Sequence, residues 1–255
     1  MKALFLAYQD QSSRRWTPVA RLTRADGEYR LAYTRGALGV SGFAGFGRMQ
    51  KLDKVFVSKD LFPLFTNRVL PKSRPEYADY LEWLGLSPET HDDLEELART
   101  GGLRATDSLE LIPCPEPTAN NEYEAFFFIR GIRHFPSEVA DRCSRLEKGE
   151  KLYLMSDFQN QHDPYALLLR TGDPISAIGY SPKYYAKDFN SLAADDPMHH
   201  TPAVHVERVN LDAPMQYRVL CRITAPWPEF FEACSSEIFQ PISGDENKSK
   251  GVKFV

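Results

Sequence analysis

The chain has 255 residues, of which 42% are hydrophobic and 26% charged, with a net charge of −4; that composition suits folded soluble domains and is long enough for one large core or two small ones. No apolar run approaches the ~20 residues a membrane span needs, and the short apolar start Met1–Tyr8 is followed by no small-residue cleavage site, so the expectation is a soluble, cytoplasmic protein with no membrane partner. The cysteines Cys114, Cys143, Cys221 and Cys234 lie far apart without a CxxC pair, which excludes a zinc ribbon and fits reduced thiols.

Met1–Tyr8 alternates loosely and predicts a strand. Trp16–Thr23 and Tyr29–Thr34 predict two more, joined by Ala25-Asp26-Gly27, a hairpin turn signal. The glycine-rich stretch Gly36–Gly47 matches neither GxGxxG nor a P-loop and reads as a flexible surface loop. Pro75 and Glu76 follow Ser73 at a helix start, and Tyr77, Tyr80, Leu81 and Leu84 recur at helical spacing. Gly85 ends that helix. Ser87-Pro88-Glu89 is expected to start another, with Leu94 and Leu97 inward and Gly101-Gly102 stopping it; Leu109–Pro113 is a closing strand. Residues 1–113 thus form one expected domain. Three prolines in Pro113–Pro117 mark a stiff linker over 114–122.

The second expected domain, residues 123–232, has strands over Tyr123–Phe135, Glu150–Asp157, Tyr165–Arg170, Ile175–Tyr180, Ala203–Leu211 and Gln216–Ala225, with helices over Pro136–Leu146 and Pro182–Leu192. The fold class is therefore α+β in two domains: a small sheet with helices, then an OB-like or SH3-like β-barrel with two helices. Residues 233–255 turn polar and are expected to be a mobile tail.

Charge is uneven, with a balance of +9 over residues 1–74, −9 over 75–118 and −3 over 123–232. The first two can neutralise each other in the fold, or the basic segment can meet an acidic partner. The −3 argues against a grip on a long phosphate tract, which rests on many basic contacts. No GxSxG, Walker A, HExxH or zinc-finger spacing occurs, and no lysine-plus-DxxxxN arrangement for phosphoryl transfer. The expectation is a non-enzyme without cofactor or metal.

Residues 1–113 resemble the small amino-terminal domain of HipA-type kinases, through the turn at Asp26-Gly27, the block Leu61–Pro75 and the ending Leu103–Pro113. The catalytic domain of those kinases does not follow. Residues 123–225 resemble the HIRAN family through Gly131-Ile132-Arg133 with two aromatics, Asn160-x-x-Asp163-x-x-Ala166, Ile178-Gly179-Tyr180, and Tyr185-Ala186-x-x-Phe189. The resemblance implies a modified OB-like barrel that binds single-stranded DNA at its 3′-hydroxyl end. It implies Asp163 as acceptor for the sugar hydroxyl and Arg133, Lys183 and Lys187 as phosphate donors. His134, Phe135 and Tyr180 would flank the base, with Asn160 and His162 completing the site. The bland reading of Asn160 and Asp163 is a turn in which both bond their own backbone, and Gly131 and Gly179 read as backbone necessities. His134 and His162 stand where tyrosines are common in the family's fork-remodelling helicases, which implies smaller stacking surfaces and weaker binding. The alternative function is a regulatory, antitoxin-like subunit that binds a HipA-type kinase or a phage-defence protein.

Overall fold

The computed structural model describes residues 3–10, 15–89, 91–104, 106–161, 163–195, 202–243 and 252–253. The first sheet holds β1 (Ala3–Gln9), β2 (Trp16–Ala25), β3 (Glu28–Tyr33), β4 (Val55–Ser58) and β5 (Leu109–Cys114). Asp26 and Gly27 take φ of 53° and 77°, the left-handed pair that a two-residue hairpin turn requires. β1 pairs antiparallel with β2 on one side and β5 on the other. It is buried on both faces, which explains its nearly unbroken apolar run. Leu4 and Leu6 join the main core with Phe62, Phe65, Leu97 and Leu111. Phe5 faces the other way and meets Phe239, ring centroids 4.8 Å apart.

That second contact corrects the expectation for the tail. Residues 232–243 bind the first sheet, with Arg35 N donating to Gln240 O (2.8 Å) and Ile242 N to Tyr33 O (2.8 Å). Two residues, Val252–Lys253 (β12), pair in parallel with β4. The glycine-rich loop is also packed rather than flexible. Phe43 and Phe46 lie against Tyr33, whose hydroxyl donates to Met49 O and accepts from Phe46 N. Burial holds that phenol protonated, with its pKa pushed up to about 12.

The helices are α1 (Pro63–Thr66), α2 (Tyr77–Trp83), α3 (Asp93–Thr100), α4 (Ser137–Ser144) and α5 (Lys183–Asp195). The start expected at Ser87 moves to Asp92, whose carboxylate accepts from Leu94 N and Glu95 N. Gly101 ends α3 in the left-handed conformation, φ 70°.

Two compact units result: Met1–Pro71 with Asp92–Glu116 and Glu232–Val255, and Lys72–His91 with Pro117–Phe231. The division by chain order at 114–122 differs from this in two places. The apolar face of α2, read correctly as a helix, is committed to the second unit. Tyr80 meets Tyr217 edge-on at 6.1 Å, and Asn210 Nδ2 donates to Trp83 O (3.0 Å). The closing segment, as described, belongs to the first unit.

The second sheet comprises β6 (Glu122–Phe128), β7 (Lys151–Ser156), β8 (Leu167–Arg170), β9 (Ala177–Tyr180), β10 (Ala203–Val209) and β11 (Val219–Pro226). Its order is β6-β11-β10-β7-β8-β9, antiparallel throughout. The sheet curls until its two edges meet at a bridge between Arg130 and Tyr180. Inside lie Phe127, Leu152, Leu169, Ile178, Val204 and Ile223. Tyr185 and Phe189, one turn apart on α5, stack at 5.2 Å with their planes 7° apart and plug this core; each such ring contributes on the order of 2–3 kcal/mol by burial. Among the described residues no helix is long and apolar enough to cross a membrane.

Candidate functional site

The β7–β8 loop, residues 157–166, is closed at its base by Asp157 N donating to Ala166 O (2.9 Å). Within it Asn160 Oδ1 accepts from Asp163 N (3.0 Å), and Asp163 Oδ1 accepts from Tyr165 N (3.0 Å). Each polar side chain thus commits one oxygen to the loop's own backbone, as the turn reading of these residues expected. The Asn160 amide then reaches outward, Nδ2 donating to Asp157 Oδ2 (3.2 Å). On the same oxygen arrives the Tyr180 hydroxyl, at 2.9 Å.

Asp157 is therefore the hub of the site, and sequence reasoning missed it. The Tyr180 hydroxyl and then the Asn160 amide hold its carboxyl below the usual carboxylate range. Tyr180 is shifted upward, by burial first and then by its bond to Asp157. The pair is thus a carboxylate and a neutral phenol at neutral pH. One signal was available: residues 151, 153, 155 and 157 share the outward face of an alternating strand.

The basic-aromatic corner follows β6. Gly131, φ 77°, starts a single tight turn, Ile132–His134, with Ile132 buried and Arg133 and His134 exposed. Arg133 Nε donates to His134 Nε2 (3.2 Å). Phe135, half-buried, lies against Tyr180 with ring centroids 6.0 Å apart. Gly179 makes this approach possible. At φ 142°, a Cβ there would lie 2.6 Å from Arg130 O and 2.4 Å from Ile129 Cγ2.

Lys183 and Lys187 are exposed on one face of α5. That helix is tied to the loop by Asn190 Nδ2, which donates to Tyr165 O (3.2 Å). The structure thus joins Asn160 with Asp163, Asn160 and Tyr180 through Asp157, Tyr180 with Phe135, and Arg133 with His134. His162 lies outside the described residues. Two loop aromatics not singled out from sequence, Phe158 and Tyr165, are 89% and 57% exposed.

The family model of the HIRAN domain matches residues 123–227, so the second unit carries a HIRAN domain. A protein from Lactobacillus plantarum is similar at 15% identity, over 41% of this chain and 96% of its own, with a TM-score of 0.32. The HIRAN domain of human HLTF is similar at 13% identity, over 42% of this chain and 81% of its own, with a TM-score of 0.30. No curated protein matches.

Proposed function

We propose that the second unit binds the ends of single-stranded DNA, recognising the 3′-hydroxyl, and performs no catalysis on them. The observation that carries this reading is the cluster Asp157–Asn160–Tyr180 within the HIRAN match, bounded by Phe135 and by the exposed Arg133. Asp157 orients Tyr180 and Asn160. Asp163, one oxygen held by Tyr165 N, accepts the terminal hydroxyl with the other. A phosphate there meets carboxylates and is repelled. Arg133, Lys183 and Lys187 hold the last phosphates, and His134, Phe135 and Tyr180 flank the terminal base, with His162 beside them. Few contacts suffice for an end, which is compatible with a domain balance of −3.

The first unit supplies basic surface, its residues 1–74 carrying a balance of +9, or contacts a protein partner such as a HipA-type kinase. Fluorescence anisotropy of the full chain with 3′-hydroxyl and 3′-phosphate oligonucleotides tests the reading. The hydroxyl end binds at least about tenfold tighter, a difference of roughly 1.4 kcal/mol, and Asp163→Ala abolishes the preference. Equal affinities for the two ends in the unaltered protein remove the proposed role. Co-purification of a kinase with no oligonucleotide binding at all favours the regulatory alternative.

A further inference from the structure

The curled sheet leaves one face of β7–β9 open. Lys151, Tyr153 and Met155 project outward from β7, all exposed. Register places Met155 opposite Leu168 and Leu168 opposite Tyr180, so one row of side chains runs from β7 to the site. The next row pairs Tyr153 with Arg170, whose guanidinium carbon stands 4.3 Å from the centre of the Tyr153 ring. Lys151 Nζ lies 5.3 Å from the same ring. Below this row opens a cleft of about 820 Å³ whose lining includes Arg142, Arg145, Lys148, Lys151 and Tyr153.

The cleft also contains Glu147, Glu150 and Asp173. Arg142 is held by Glu150 (2.5 Å) and Lys148 by Glu207 (2.8 Å). Arg145 and Lys151, both exposed, and Arg170 on the neighbouring strand carry the positive character. Aromatic faces interleaved with cations suit a polyanion with flat bases. A guanidinium laid on a phenol offers a planar, cationic surface on which a base stacks. From residue 151 to residue 157 an extended strand covers ~20 Å. That is the scale of the shorter sites, roughly four nucleotides, that OB-type folds engage.

We propose that this face, from Tyr180 through Leu168 and Met155 to Tyr153, Arg170 and Lys151, carries the nucleotides that precede a captured single-stranded end. The proposal rests on the end-binding reading and goes beyond it. It makes affinity depend on strand length, and it assigns that dependence to residues outside the end site.

The test uses the full chain with 3′-hydroxyl oligothymidines of two and of eight nucleotides, read by calorimetry or anisotropy. The unaltered protein binds the longer strand more tightly. Tyr153→Ala, at a site 38% exposed, lowers affinity for the long strand about tenfold, within the range expected for one lost stacking platform. It leaves the dinucleotide unaffected. Lys151→Gln reduces the salt slope by about one for the long strand alone. Asp163→Ala, by contrast, weakens both lengths. A protein that binds both lengths equally, or a Tyr153→Ala variant that retains full affinity for the long strand, overturns the proposal and leaves end capture standing. A protein that binds neither strand overturns both. Tyr153→Ala weakening both lengths alike also overturns it, since the residue then acts at the end site.

Discussion

Gly179→Ala is a severe test of how the site is held. The new methyl would sit 2.4 Å from Ile129 Cγ2 and 2.6 Å from Arg130 O. The first neighbour can rotate; the second cannot move freely. Arg130 O accepts from Tyr180 N (2.9 Å) and Arg130 N donates to Tyr180 O (2.8 Å), so relieving the overlap breaks the bridge that joins the sheet's edges. The backbone at φ 142° adds roughly 1–3 kcal/mol of strain. Overpacking adds roughly 1–3 kcal/mol, giving about 2–6 kcal/mol in all. Gly131→Ala is the control. Its φ of 77° is also left-handed, but its Cβ meets only Tyr180 Cδ2, at an ordinary 3.6 Å. The cost there is the left-handed penalty alone, about 1–2 kcal/mol. Urea unfolding followed by tryptophan fluorescence, with Trp227 stacked on Tyr123 in the same unit, measures both. A Gly179→Ala loss no greater than that of Gly131→Ala would refute the argument.

Asp188, on α5, is pushed up to about 6 by burial, opposed by the Tyr123 hydroxyl and Lys187. Its folded pKa exceeds the unfolded one, so folding is penalised only once the group ionises: stability falls as pH rises through 6, and no penalty remains below about 4. Asp188→Asn therefore gains up to about 3 kcal/mol at pH 7.5 and nothing near pH 4; an equal gain at both pH values contradicts this. Arg68 has a side chain only 2% exposed and donates to Leu64 O (3.1 Å), Gly102 O (2.6 Å) and Asp107 Oδ2 (2.5 Å). Arg68→Ala leaves two carbonyls and a carboxylate without their donor and destabilises the first unit by about 3 kcal/mol. A loss under about 1 kcal/mol in chemical denaturation would show those bonds replaced by water.

The elements that sequence reading placed well are those defined locally. Asp26-Gly27 made the β2–β3 turn, and the 3.6-residue spacing of Tyr185, Phe189 and Leu192 marked the buried face of α5. The six strands of the second sheet lie within a few residues of expectation because turn residues bound each one. What escaped depends on pairs distant in sequence. The role of Asp157 follows from the β8–β9 register that brings Tyr180 across from Leu168, and no local pattern encodes that register. The same holds for α2. Its amphipathic face was plain, but Tyr80 meets Tyr217, a partner 137 positions away. At Asn160 and Asp163, turn chemistry and ligand chemistry ask for the same residue types, so composition alone could not separate them.

Because residues 232–243 complete the first sheet while 72–91 pack with the second unit, biosynthesis reverses the printed order. The later-numbered unit has all its parts once residue 231 has left the ribosome. The amino-terminal one, begun first, must keep a face of β1 uncovered until Phe239 arrives. A stop codon shortly after residue 231 would thus damage the opposite end of the protein from the one it shortens.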